Sequence, residues 1–141
     1  MTVSELINKT EKTAFSFEVL PPVKGTGTSA LFSTIDALKE FGPEYINITT
    51  HRSEYVYVEQ PDGTYLRHFM RRRPGTVAVA SAIMQKYGIK VVPHVVVSGM
   101  TKEDIEYMLL DLQFLGIQDI LVLRGDKAKD EARFQPVKDG Y

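Results

Sequence analysis

The strongest constraint on the fold is an alternation of short apolar runs with amphipathic helical segments, which recurs three times. Strands are predicted at residues 14–19, 45–49, 90–97 and 119–123. Apolar residues at helical spacing predict crossover helices that begin near Thr28, Thr76 and Thr101, with Thr76 as an N-cap and a capping box over Thr101-Lys-Glu-Asp104. Such alternation requires a parallel sheet, and right-handed crossovers leave two common outcomes, an open doubly wound sheet or a (β/α)8 barrel. Apart from one longer interval the repeat is nearly regular, which favours the barrel.

The longer interval lies between the second and third predicted strands. Two β-prone runs, at residues 54–59 and 64–69, flank the turn sequence Gln60-Pro61-Asp62-Gly63. This pattern predicts a hairpin insertion over residues 54–69. The basic run Arg71-Arg72-Arg73 follows it, and we interpret this run as an exposed, solvated turn.

Composition narrows the class of protein. The chain has 141 residues, of which 43% are hydrophobic and 25% charged, so we expect one globular domain over residues 1–141. A net charge of −1 provides no field for nucleic acid or an anionic membrane surface. The absence of cysteine excludes disulfides and thiol chemistry and fits a reducing compartment, so we expect a cytoplasmic protein. No apolar stretch reaches the roughly 20 residues of a membrane span.

Polar residues follow each predicted strand, at the edge of a parallel sheet where ligands collect. They are Glu18, Thr49, His94 and the run Arg124-Gly125-Asp126. Glu18 lies within the apolar run 15–22, so either it has a partner or burial raises its pKa, unless it simply reaches water. A core histidine at His94 and a local ion pair between Arg124 and Asp126 are the alternatives. His51 and His68 lack ligand spacing, so no metal site is expected.

Three motifs resemble those of the methylenetetrahydrofolate reductase family, flavoenzymes built on a (β/α)8 barrel. They are Phe15-Ser-Phe-Glu-Val-Leu-Pro-Pro22, Pro93-His94 and Leu123-Arg-Gly-Asp126, and their order and spacing agree over roughly residues 13–126. A barrel of this kind needs roughly 250 residues. The resemblance therefore implies a truncated half barrel with the first four strands and about three crossover helices. We expect a fragment that is inactive alone and that survives by self-association, strand exchange or proteolytic trimming, and we expect a homo-oligomer.

The resemblance also implies a reaction, in which NADH or NADPH reduces FAD and the flavin reduces 5,10-methylenetetrahydrofolate to 5-methyltetrahydrofolate for methionine synthesis. Glu18 matches the family's general acid, and the apolar Phe15, Phe17 and Val19 beside it would raise its pKa. Asp126 matches a carboxylate near the flavin and the folate. The positions that match FAD-binding residues are Thr49, His94, Arg124, Gly125 and Asp126.

This chain departs from the family pattern in two places. Thr50-His51 stands where some members have Tyr-Gly, and the hairpin insertion is longer than expected. Two alternative functions stay open. One is a non-catalytic half barrel that binds flavin or folate or regulates a partner. The other is a different barrel enzyme with a phosphorylated substrate, in which Arg124 would contact the anion.

Overall fold

The computed structural model describes residues 1–9, 11–51, 54–127 and 131–141. In chain order its helices and strands are α1 (Val3–Lys9), β1 (Ser16–Val19), α2 (Ser29–Leu38), β2 (Tyr45–Ile48), β3 (Glu54–Glu59), β4 (Tyr65–Met70), α3 (Thr76–Tyr87), β5 (Val91–Val96), α4 (Lys102–Phe114) and β6 (Leu121–Leu123). A short 3-10 turn, Lys39–Phe41, follows α2. None of the described helices is long and apolar enough to span a membrane.

The main sheet has the strand order β1-β2-β5-β6, and every neighbouring pair is parallel. Each strand is therefore added beside the one that precedes it in this sheet. With right-handed crossovers, such an order places all the crossover helices on the same face. A doubly wound sheet reverses its order and carries helices on both faces. The fold is α/β with a parallel sheet, as predicted, and its order is consistent with part of an α/β barrel.

One face of the sheet packs against α2, α3 and α4. Alternate strand residues point toward these helices, as the twofold repeat of a β-strand requires. The core on this face contains Val19, Ile46, Ile48, Val91 and Val95 from the strands and Leu31, Ile35, Ala80, Ile83 and Leu112 from the helices. Ile35, Ile46, Ile48 and Ile83 have no exposed surface. Apolar burial on this face holds the helices against the sheet.

The opposite face carries the intervening strand residues. Register partners of parallel strands point to the same side, so Glu18 shares this face with Asn47, and His94 shares it with Leu121. Strands of a parallel sheet are commonly buried on both faces, but Ser16 and Glu18 of β1 are exposed. Among the described elements, the crossover helices cover only the other face.

Residues 54–70 form an antiparallel hairpin, at the place where the sequence predicts one. Its register runs from Glu54 opposite Met70 to Glu59 opposite Tyr65. In the turn, the Gly63 amide donates to the Gln60 carbonyl at 2.9 Å, and Gly63 has a φ of 81°. A type I turn followed by a left-handed residue suits a short hairpin loop. The two strands make a sheet of their own, separate from the parallel sheet.

Helix starts show which hydroxyl groups act as caps. The predicted capping box at α4 is confirmed, since the Asp104 amide donates to the Thr101 hydroxyl and the Thr101 amide donates to the Asp104 carboxylate. Thr76 was predicted to cap α3, but Gly75 occupies that position and Thr76 is the first helical residue. The Thr76 hydroxyl instead donates to the His94 carbonyl at 3.1 Å, which ties α3 to β5.

Candidate functional site

Glu18 lies near the carboxyl end of β1, on the face that the crossover helices leave uncovered. Its side chain is 57% exposed. The expectation that Phe15, Phe17 and Val19 surround the carboxyl group is wrong, because adjacent strand residues point to opposite faces. Val19 belongs to the core on the helix side, and Phe15 is exposed. The Glu18 carboxyl is therefore accessible to solvent and to a ligand at this edge.

His94 is the buried polar residue of the same face. Its side chain is 4% exposed, and its Nε2 lies 3.8 Å from the Oε2 of Glu18. Neither ring nitrogen has a hydrogen-bond partner among the described residues. Burial lowers the pKa of His94, and the nearby Glu18 carboxylate opposes this shift in part. The site therefore favours a neutral imidazole beside an exposed carboxylate.

Thr49 follows β2 directly and is half-buried. Its amide donates to the Val19 carbonyl at 3.0 Å, which extends the pairing of β1 and β2 by one residue. Since Ile48 registers with Pro93, Thr49 and His94 occupy the next position on neighbouring strands. The structure thus places Thr49 at the same edge as Glu18 and His94.

The end of β6 is held against the end of β5. The Val97 amide donates to the Leu123 carbonyl at 2.9 Å, and the Ser98 amide donates to the Arg124 carbonyl at 3.1 Å. Gly125 follows with a φ of 83°. A Cβ atom at this glycine would lie 2.4 Å from Val96 Cγ1 and 2.8 Å from Ser98 Oγ. In this chain, glycine is required by backbone conformation and by packing against the end of β5.

Arg124 and Asp126 are both exposed beyond β6. The Arg124 guanidinium lies 5.0 Å from the centre of the Phe134 ring, a distance typical of a cation–π contact. Asp126 has no hydrogen bond or ion pair with another described residue, so the local ion pair with Arg124 is not formed in this part of the chain. Both side chains are accessible to a ligand.

The sequence-predicted residues therefore share one edge of the sheet but differ in their contacts. Glu18 and His94 are brought together directly, whereas Arg124 and Asp126 lie beyond β6, where Arg124 contacts Phe134. Across the described ranges, no group of three or more acidic or histidine side chains could hold a metal ion. The arrangement can bind a polar ligand and can move a proton through the Glu18 carboxyl.

Two residues of this face received no role from the sequence. Ser98 is 7% exposed, and its hydroxyl has no described hydrogen-bond partner. Asn47 is half-buried and registers with Glu18. The sequence marks both residues by a polar side chain at an alternate strand position. Asn47 interrupts the apolar strand β2. Ser98 lies four residues after His94, which places it on the same face if the strand geometry continues.

A cavity of about 480 Å³ lies elsewhere, between the loop after β1 and the helices α2 and α3. Its lining is mainly apolar and includes the cationic residues Lys24 and Arg73. None of the sequence-predicted site residues lines this cavity. The candidate site is therefore an open edge of the sheet within the described residues, separate from this cavity.

Comparison with known proteins identifies relatives of the whole chain. The family model described as methylenetetrahydrofolate reductase matches residues 2–141. The chain is 28% identical to methylenetetrahydrofolate reductase (NADH) 1 of Arabidopsis thaliana, over 92% of this chain and 19% of that protein. It is 28% identical to the 5,10-methylenetetrahydrofolate reductase of Buchnera aphidicola, over 86% of this chain and 36% of that protein.

A third relative is methylenetetrahydrofolate reductase 1 of Schizosaccharomyces pombe, 30% identical over 85% of this chain and 17% of that protein. The chain thus spans between 17% and 36% of the length of these three relatives. Since the family model matches nearly every residue, the chain belongs to the methylenetetrahydrofolate reductase family.

Proposed function

We propose that this chain forms the first half of a (β/α)8 barrel that reduces 5,10-methylenetetrahydrofolate to 5-methyltetrahydrofolate, in one-carbon metabolism and methionine synthesis. The observation that carries the proposal is the meeting of Glu18 and His94 on the open face of the sheet, in a chain of this family. In this proposal residues 1–141 are a single domain, with residues 54–69 as an insertion. The name of the Arabidopsis relative specifies NADH, and either NADH or NADPH is the proposed reductant here.

The residues at the strand ends fit a flavin. Both ring nitrogens of His94 and the hydroxyl of Ser98 are buried without a described partner, and such groups are rare unless a ligand or water satisfies them. Thr49, Arg124, Gly125 and Asp126 lie at the neighbouring strand ends. These four residues and His94 would hold FAD, which supplies hydride transfer between the nicotinamide and the folate when bound.

Glu18 is the proposed general acid. Its exposed carboxyl group can reach a folate at the open face, while the buried His94 contacts it from the sheet side. Proton delivery to the folate nitrogen would assist opening of the folate ring to the iminium ion that accepts hydride. Asp126 is the second proposed catalytic residue, because an exposed carboxylate can stabilise the positive charge that develops on the folate.

At the β6 edge of the sheet, apolar side chains are exposed that further strands could cover. All three residues of β6 are exposed, at 42% for Leu121, 56% for Val122 and 39% for Leu123, and Phe114 at the end of α4 is 91% exposed. Such a surface favours association with further polypeptide. We therefore propose that residues 1–141 are inactive by themselves and that the active form is a homo-oligomer. The absence of cysteine supports the further proposal that the protein is cytoplasmic.

The test is the Glu18→Gln variant in the enzyme that contains this chain, with each half-reaction measured separately. NADH should still bleach the flavin absorbance, whereas folate reduction should fall by about 10² to 10⁴, the usual contribution of a general acid. Glu44→Gln is the matched control, since Glu44 is an exposed glutamate at the amino end of β2. Loss of both half-reactions, or of neither, would contradict the proposed role.

A spectral measurement tests the cofactor separately. FAD added to the purified protein should bind with quenching of its fluorescence, and His94→Leu should weaken this binding. Flavin that binds but does not bleach with NADH or NADPH would favour the alternative of a binding protein without chemistry. Absence of binding in the complete enzyme would refute the flavin assignment.

A further inference from the structure

His94 and Glu18 reach each other across the strand that separates them. Glu18 is on β1 and His94 on β5, with β2 between them. Two strand spacings amount to roughly 10 Å, so the 3.8 Å between Nε2 and Oε2 requires both side chains to lean over β2. The contact is therefore a specific one that places the Glu18 carboxyl toward the centre of the sheet.

The two partners differ strongly in burial. The His94 side chain is 4% exposed and is held in a packed strand, whereas the Glu18 side chain is 57% exposed. An exposed glutamate samples several rotamers unless a fixed group restrains it. His94 is the fixed member of this pair, because its ring is buried, and its backbone carbonyl accepts a hydrogen bond from Thr76 that ties β5 to α3.

We propose that His94 is a positioning residue for Glu18. It holds the Glu18 carboxyl over β2 and couples the charge of that carboxyl to the imidazole. This rests on the proposed function for the catalytic meaning of Glu18, but the coupling itself does not. A neutral imidazole can donate one hydrogen bond to a carboxylate from Nε2 when that nitrogen carries the proton. A small side-chain movement that shortens the 3.8 Å separation between Nε2 and Oε2 would form that hydrogen bond.

The surroundings leave few other charges to act on this pair. From β2, Asn47 registers with Glu18 and carries no charge, and from β6, Leu121 registers with His94. From α3, the uncharged Thr76 bonds the His94 carbonyl. Among the described residues, the Glu18 carboxylate is the charged group that raises the pKa of His94. Its removal therefore isolates one interaction.

The test is an NMR titration of His94 in the wild-type chain and in Glu18→Gln. Since Glu18 is exposed, this variant should fold like the wild type. Because the carboxylate favours the charged imidazole, its loss should lower the pKa of His94 further below its ordinary value. Asp126→Asn and Glu44→Gln are matched controls and should leave the pKa of His94 unchanged.

A second measurement separates positioning from charge alone. Side-chain couplings of Glu18 should report one dominant rotamer in the wild type and in His94→Gln, whose amide can donate to the carboxylate. They should report rotamer averaging in His94→Leu, which cannot donate. An unchanged His94 pKa in Glu18→Gln, or equal Glu18 rotamers in the two His94 variants, would overturn the proposal.

The outcome is distinguishable from that of the proposed function. A coupled pair in an enzyme that does not reduce folate would refute the reductase and leave the pair standing. An active reductase in which the pKa of His94 does not depend on Glu18 would refute the positioning role of His94 alone.

Discussion

The two faces of the parallel sheet contain the same strands but are covered differently. On one face, Ile46 and Ile48 are completely buried beneath the crossover helices. On the other, Asn47 of the same strand is half-buried, and Glu18 of β1 is exposed beside the buried His94. Because side chains alternate along each strand, residues of the core and residues of the candidate site are neighbours in the sequence. Substitutions on adjacent residues should show the difference directly.

The largest effect is expected for Ile48→Ala, compared with Asn47→Ala next to it. Ile48 has no exposed surface and packs in the helix-side core, so its truncation should cost about 2–5 kcal/mol of unfolding free energy. Asn47 is half-buried on the open face, so Asn47→Ala should reduce the unfolding free energy by less than about 1 kcal/mol. Urea denaturation measures both, and equal losses would contradict the division between the faces.

The next effect is expected at Gly125, where the open face has one tightly packed position. An alanine at this position would have to adopt a positive φ, and its Cβ atom would collide with Val96 and Ser98. Gly42→Ala is the matched control, since Gly42 has a φ of 62° and nothing near a Cβ atom. The control should cost about 1–2 kcal/mol from conformation alone, and Gly125→Ala about 1–3 kcal/mol more from the collision. Similar losses would show that packing at Gly125 is loose.

A smaller effect should distinguish two helix starts on the helix side. Thr101→Ala removes the capping box of α4 and should cost about 1 kcal/mol. Thr28→Ala should cost much less, because Thr28 makes no side-chain hydrogen bond at the start of α2. Thermal unfolding of the two variants checks this order, and a reversed order would contradict the assignment of the caps.

The same cap has a pH dependence. Hydrogen bonds from the Thr101 amide and hydroxyl hold the pKa of Asp104 below its ordinary value. A depressed pKa stabilises the fold above the ordinary aspartate range, and this stability is lost as the pH falls through the folded value. Thr101→Ala should therefore reduce the loss of stability in acid, which unfolding midpoints measured at a series of low pH values would reveal.

The smallest expected effect concerns the buried histidine of the open face. Burial lowers the pKa of His94, so the unfolded chain binds a proton more readily than the folded one. Its contribution to stability is complete above the ordinary histidine pKa of about 6.5 and decreases as the pH falls toward the folded value. Unfolding free energies of His94→Gln should vary less between about pH 7 and 5 than those of the wild type. The exposed His68→Gln is the control and should keep the wild-type pH dependence.

Much of the fold could be predicted because local signals agree with tertiary packing. The periodic apolar residues of α3 and α4, the turn at Gly63 and the box at Thr101 each have one dominant physical interpretation. The edges of elements were harder to predict. Thr76 has the chemistry of a cap, but its hydroxyl bonds the His94 carbonyl in a neighbouring strand, a partner that no local pattern reveals.

The candidate site was predictable as a set of strand ends but not in its contacts. Sequence neighbours suggested that Phe17 and Val19 enclose Glu18, whereas the neighbour across space is His94 on a strand two places away. Gly125 matches an FAD-binding position, and the structure adds packing against Val96 and Ser98 that its sequence neighbours do not reveal. Both differences come from strand register, which depends on long-range pairing.

The order of strands in the sheet has a consequence for how the chain can assemble during its synthesis. Because β1, β2, β5 and β6 join the sheet in the order in which they are translated, each βα unit can dock on an edge completed earlier. We expect growth from the amino terminus on the ribosome, with little waiting for distant partners. Arrested nascent chains that end beyond α3 should already protect β1 and β2 from protease, and their complete cleavage would exclude this sequence of events.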